Sequence, residues 1–419
     1  MSEPLAVREA PASYQVVPDT QRVRPGYKQT EVGVIPEAWV VRPLGEVVTF
    51  LDGKRRPVKD TDRAKMRGTI PYYGASGIVD YVNDYLFDED LILLGEDGEN
   101  ILSRNCRLAF RISGKAWVNN HAHVLKPNLD ISIGFLTDYL ESLNYERLNS
   151  GTAQPKLNKQ SCFGIQVALP PTKAEQEAIA EALSDADALI EALQQLIAKK
   201  RHLKQGTMQE LLGGKKRLPG FSGEWEVKRL DAVADIRSGG TPSTNQPEFW
   251  DGDILWCTPT DITALSGFKY LTQTARTITT HGLKASSAEL IPAHSVVMTS
   301  RATIGECAIN ALPVATNQGF KNFIPFDTMD GEFLYYLLQT KKQDFISLCG
   351  GSTFLEIGKT QLTAFEIELP KEKSEQTAIA TTLSDMDTEI AALETRLAKT
   401  RELKQGMMHN LLTGRIRLI

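Results

Sequence analysis

Cysteine is scarce in this chain. Five residues (Cys106, Cys162, Cys257, Cys307 and Cys349) are spread over 419, odd in number and with no C-x-x-C pair. That pattern argues against a disulfide framework or a Cys-based zinc site and reads as free thiols in a reducing compartment. Long apolar runs are missing too. Nothing approaches the ~18–20 residues of a membrane span, and the opening MSEPLAVREAPASYQ has no apolar signal core. The expectation is a cytoplasmic protein without membrane contact. There is also no overall basic excess, since the formal net charge is −5.

With 42% hydrophobic and 24% charged residues, the composition is that of a soluble globular protein. The length predicts several domains, each able to bury a core. Charge is uneven along the chain: residues 37–168 sum to about −1, residues 223–368 to about −6, and the stretches that follow each of them to about +1 apiece. Any polyanion must therefore be met by local clusters. Lys54-Arg55-Arg56, with Lys59, Arg63, Lys65 and Arg67, is the densest, although such a run is by itself equally a solvated loop.

The organising feature is an internal repeat. The fifty residues from Leu169 (LPPTKAEQEAIAEALSDAD…LKQGTMQELLGGKKRL) recur from Leu369 (LPKEKSEQTAIATTLSDMD…LKQGMMHNLLTGRIRL), two hundred residues later and without a gap, at about 28 identical positions. A fainter match links EAWVVRPLGEVV, from Glu37, with GEWEVKRLDAVA, from Gly223. The chain thus reads as lead-in, globule and long helix, twice over. Pro170-Pro171 ends a strand, and Thr172 with Glu175 forms a capping box. In the second copy Glu372 replaces Thr172, so that start is expected to slip towards Ser374. Apolar residues then fall at 4-3-4-3 spacing: Ile179, Leu183, Ala186, Ile190, Leu193, Ile197, and Ile379, Leu383, Met386, Ile390, Leu393, Leu397. Two matched seams predict antiparallel coiled-coil packing, with Gly213-Gly214 and Gly414 closing helices of about 41 residues, ~60 Å long at ~1.5 Å per residue.

The expected fold class is α+β, with two globular α/β recognition domains separated by two long antiparallel coiled-coil helices in a pseudo-twofold circular arrangement. The segments are a mobile tail (1–20), a first head with lead-in (21–168), a first helix (169–214), a second head with lead-in (215–368), and a second helix with tail (369–419). The termini should lie close together. Leu203, Met208, Leu211 and Leu212, repeated as Leu403, Met408, Leu411 and Leu412, exceed what one two-helix seam needs; they either pack on the adjacent globule or present an apolar patch to a partner.

The segment GGSTFLEIGKT (350–360) ends like a phosphate-binding loop, but Thr353 stands where the first glycine is required. Its counterpart in the first copy, SGTAQPKLNKQ, carries Asn158 and Gln160 at the critical places. A nucleotide-hydrolysing enzyme built on Lys359 is therefore the weakest reading, and a coiled-coil scaffold whose heads bind proteins is a stronger rival.

Both copies of EQ-x-AIA-x-x-LSD-x-D with LKQG-x-M-x-x-LL resemble the specificity subunit of type I restriction–modification systems, together with SGGTPS (238–243), SRATIG (300–305) and TNQGF (316–320). The first head resembles another flavour of the family's target-recognition domain, through IPYYGASGIVDYV, LLGEDGE, NNHAHVL and SGTAQPKL, with DGKRRPV in place of GGTPS. The resemblance implies a non-catalytic, prokaryotic DNA-recognition subunit for a bipartite, asymmetric double-stranded target. Its partners would be two adenine-N6 methyltransferase subunits and ATP-driven restriction/translocase subunits. It implies no cofactor on this chain, with S-adenosylmethionine, ATP and Mg on the partners. Consistently, the sequence has no Asn-Pro-Pro-aromatic motif, Gly-rich cofactor loop or Walker pair.

A head of this kind offers Arg and Lys to guanine, Asn and Gln to adenine, and Ser or Thr to phosphates. The candidates in the first head are Lys54, Arg55, Arg56, Tyr72, Ser76, Asn119, His121, Gln154 and Lys156. Those in the second are Thr241, Ser243, Thr258, Arg301, Asn317, Gln318, Lys321 and Lys359. His121 and His123 are expected to be neutral loop or strand histidines, not a metal pair.

Overall fold

The computed structural model describes residues 23–151, 153–349 and 355–418. The N-terminal tail, Thr152 and the GGSTF half of the loop-like segment lie outside the described residues. The chain divides into two compact units, residues 1–192 with 397–419 and residues 193–396, so each boundary falls inside a long helix.

In the first unit the lead-in strand Val40–Pro43 pairs antiparallel with Gln166–Leu169, and Trp39 beside it is fully buried. One sheet runs Val48–Phe50, Ala122–Pro127, Leu91–Gly95, Ala109–Ile112. The other runs Gly77–Val82, Arg67–Gly74, Lys115–Val118, Phe87–Asp88, with a parallel pairing in the middle. Leu91–Gly95 is buried along its whole length because both of its faces are covered, which explains its unbroken LILLG run. Helix Ile133–Ser142, capped by Ser132, packs its Phe135, Leu136 and Leu140 into the core.

The second unit repeats this plan although its sequence does not. Trp225–Arg229 pairs with Glu366–Pro370. One sheet runs Ala234–Ser238, Phe320–Pro325, Val296–Thr299, Cys307–Asn310, Tyr270–Leu271. The other runs Arg276–Ile278, Trp250–Cys257, Val314–Thr316, again with one parallel pairing. Helix Gly331–Thr340 is capped by Asp330. The heads therefore share a common strand order, and differ in their loops and in one edge strand each, Phe87–Asp88 in the first and Tyr270–Leu271 in the second.

The long helices are Lys173–Leu211 and Lys373–Leu411, 39 residues each. Both begin at the same repeat position, so the expected slip to Ser374 does not occur; the Glu375 N–H bonds the Glu372 carbonyl in place of a side-chain cap. In the first copy Thr172 Oγ1 accepts from Glu175 N at 3.2 Å. Glu175 does not turn back to complete the box. Its buried carboxylate takes a bidentate pair from Arg417 at 2.8 and 2.7 Å, and Glu375 does the same with Arg217 at 2.5 and 2.6 Å. Gly214 and Gly414 close the helices at φ 65° and 68°, a left-handed cap that costs a glycine nothing.

Within the second unit the two helices run antiparallel, tied by Lys200–Glu389 at 2.6 Å, Arg201–Glu394 at 2.6 Å and Lys204–Asp387. Within the first, Lys404 holds Asp187 at 2.6 Å, the same pair with the copies exchanged. The seam is not purely interhelical. Ile179 and Leu183 join the core of the first head, and Ile379 and Leu383 that of the second. The described ends of the chain meet inside the first unit, where Tyr27 OH donates to the Gly414 carbonyl at 3.0 Å.

Candidate nucleic-acid interface

Strand register aligns the heads residue by residue. His123 faces Leu94 as Lys321 faces Met298, and Phe50 faces Leu125 as Ile236 faces Phe323. Asn119 precedes His123 by the same interval that separates Asn317 from Lys321. Each asparagine does the same work: its Oδ1 accepts the N–H two residues on, His121 N at 2.8 Å and Gly319 N at 2.9 Å. These are Asx turns, so only the amide –NH2 of each is left to donate.

In the first head the basic run divides by burial. Lys54 and Arg56 are exposed, and among the described residues their side chains have no partner. Arg55 is instead structural: its guanidinium bonds Glu96 at 2.6 Å and the Ala122 carbonyl at 2.7 Å. Ser76 and Gln154 are exposed on loops. Lys156 reaches Glu96 at 3.3 Å, and His121 Nδ1 lies 2.9 Å from both Asp97 oxygens. Tyr72 does not belong to any surface. It is buried, with its OH accepting from Val58 N at 3.0 Å and Arg63 stacked on its ring.

His123 corrects the expectation of neutral histidines. It is fully buried, with Nδ1 2.8 Å from Asp52 Oδ2, Nε2 3.0 Å from the Leu157 carbonyl, and Glu96 3.7 Å away. Both ring nitrogens face acceptors, so both must carry hydrogen. Burial alone would lower its pKa; the hydrogen bond to Asp52, together with Cys162, reverses this and raises it to about 10. No His, Cys, Asp and Glu cluster able to hold a metal exists among the described residues.

In the second head Ser243, Gln318 and Lys359 are exposed, and Thr241 bonds Gln318 across two loops. Arg301 pairs with Glu356 at 2.7 Å. Thr258 is committed to a helix start, where its N–H and hydroxyl both bond Asp261 at 2.7 Å. Lys321 is buried. Gly358-Lys359-Thr360 opens a six-residue helix, Lys359–Ala364, in place of the long strand-linked helix that a phosphate loop requires.

The proposed partner-binding leucines also divide. Leu211, Leu212, Leu411 and Leu412 are core residues, and Met208 and Met408 pack half-buried against the same cores, the first of the two expected alternatives. Leu203 and Leu403 stay 50% and 64% exposed. What the residue-type argument missed are the counter-charges. Glu96, Asp97 and Glu356 pair with candidates that lie far away in sequence, and Asp52 with Arg55 close by; the acids of LLGEDGE were the available signal.

Comparison with known proteins agrees with this architecture. Residues 36–199 and 222–404 each match the family described as the type I restriction modification DNA specificity domain. The MjaIX specificity subunit of Methanocaldococcus jannaschii is 41% identical over 166 residues, which span 39% of this chain and 38% of that relative. The MjaVIII specificity subunit of the same organism is 26% identical over 415 residues, covering 92% and 94%. The S subunit structure of the type I restriction–modification system from M. genitalium shares the fold at a TM-score of 0.59 and 14% identity, over 89% of this chain and 96% of that one. With two family domains, each comprising one head and a long helix, the chain belongs to the type I restriction–modification specificity subunits.

Proposed function

We propose that the chain reads a bipartite, asymmetric DNA sequence, one half-site per head, and presents it to adenine-N6 methyltransferase subunits docked on its helices. The observation that carries this reading is duplication with divergence: one head topology, supported by near-identical helices, carries two unlike loop sets. A duplicated frame suits two copies of one partner, and unlike loops suit two unlike half-sites. Base flipping and methyl transfer then reside in the partners, and ATP-driven restriction subunits would join the same core.

A docking face can be named on the helices. Lys199, Leu203, Gln205 and Gly206 recur as Lys399, Leu403, Gln405 and Gly406, all of them exposed. A Cβ built at Gly206 or Gly406 meets no described atom within 4 Å, so the fold itself has no use for a glycine there. A mid-helix glycine is about 1 kcal/mol less favourable than alanine. Its presence at both sites favours close approach by another backbone. Charge complementarity to DNA is supplied in the first head by Lys54 and Arg56.

The test is co-expression with the cognate methyltransferase, followed by single-molecule mapping of modified adenines. A split, non-palindromic motif is expected; the absence of any such motif rejects the reading. A protein-binding scaffold, the rival, would bind its targets without the steep salt dependence that phosphate contacts impose.

A further inference from the structure

The matched positions His123 and Lys321 place a buried cation at one and the same spot in two heads that share little sequence. Their surroundings differ in charge. His123 lies beside two carboxylates, Asp52 and Glu96, which Arg55 also holds. At the corresponding positions of the second head stand Ser238, opposite Lys321 on the neighbouring strand, and Ser300, directly after its strand. The backbone matches at Glu96 and Ser300, while Asp52 opens a short turn where Ser238 ends a strand. Glu96 N donates to the His121 carbonyl and Ser300 N to that of Gly319, while Leu157 N and Ile357 N close the loops onto Glu96 and Ser300. The exchange of two acids for two serines removes both carboxylates from the position that the lysine occupies.

Lys321 is left without a counter-ion. Only 5% of the residue is exposed, yet its Nζ has two long contacts, 3.5 Å to Ser300 Oγ and 3.4 Å to the Phe320 carbonyl. Among the described residues no carboxylate lies within ion-pair distance. Glu356, the nearby acid, is held by Arg301. Burial keeps the ammonium below the ordinary lysine pKa, so an incoming anion is favoured by charge as well as by hydrogen bonding.

We propose that Lys321 takes a backbone phosphate of the second half-site as its missing counter-ion, whereas His123, neutralised by its own head, makes no DNA contact and only positions the first head's loops. The proposal rests on the DNA-reading function above. A phosphate suits the site better than a base edge, since a lysine is a point charge without the planar fork that reads guanine bidentately. The half-exposed Arg301–Glu356 pair lies close enough to act on Lys321 electrostatically, and such a pair parts at little cost; Arg301 would then join the same phosphate.

The test uses the full chain in complex with its methyltransferase and a duplex carrying the mapped motif, with affinity measured across a salt series. Lys321→Gln should lower the slope of log K against log salt by about 0.9, the value for one lost phosphate contact, and Lys321→Arg should retain it. Lys321→Met, which keeps the aliphatic stem, serves where the Gln variant misfolds. His123→Gln should leave the slope unchanged whatever it does to affinity. An unchanged slope in folded Lys321→Gln and Lys321→Met overturns the proposal. So does a loss of affinity that disappears when only the second half-site is scrambled, because that signals a base contact. If the unsubstituted complex binds no DNA, the parent reading falls as well.

Discussion

At the scale of single residues, the structure divides the candidate list by what each side chain is already doing. Arg55, Asn119, Thr258 and Tyr72 hold loops in place, while Lys54, Arg56, Ser76, Gln154 and Ser243 remain open to a ligand. Residue type was legible in the sequence, but pairing was not, because Arg55 and Glu96 or His123 and Asp52 meet only after folding. His123 gives the sharpest expectation. Its folded pKa, about 10, lies above the unfolded value of 6.5. Its contribution is therefore complete below about pH 6.5 and is lost as pH rises through the folded value. Thermal melts of the wild-type chain and His123→Gln should thus differ most near pH 6 and converge by about pH 10. A constant difference across that range would show that the ring is neutral.

At the scale of elements, most identities between the two repeats have a mechanical reason. Gln176 and Gln376 are buried; their Oε1 atoms accept Ser132 N at 2.8 Å and Asp330 N at 2.9 Å, locking each long helix to the start of its head's own helix. Gln176→Leu leaves Ser132 N unpaired in the interior and should cost about 1–3 kcal/mol, read from urea denaturation. The SD-x-D and LKQG motifs hold the antiparallel pairs Lys404–Asp187 and Lys204–Asp387. Gly206 and Gly406 are the exceptions. Gly206→Ala should stabilise the chain by about 0.5–1 kcal/mol while reducing the methyltransferase that co-purifies with it. Stabilisation with undiminished co-purification would remove this face from the docking surface. Helix periodicity was readable in advance, but the N-terminal caps were not, since Glu175 turns to Arg417 and Glu372 caps through its carbonyl. The absorption of Ile179 and Leu183 into a head was not, because a heptad pattern states which face is apolar and not what covers it.

At the scale of the molecule, the duplicated plan was visible in the helices and lead-ins and invisible in the heads, where strand order survives although the side chains have changed. Replacing residues 223–368 with another head of this topology should alter one half of the methylated motif and leave the other intact, as adenine mapping would reveal. Changes in both halves would mean that the heads do not read independently. The division of each long helix between two units has a further consequence during synthesis. The core around Trp39 and Phe135 also contains Leu411 and Leu412, so the first head, ending at residue 168, is made about 240 residues before Leu411 exists. Until then Ile179 and Leu183 lack part of their cover. Nascent chains of this protein should accordingly hold a chaperone until Leu411 and Leu412 have been made.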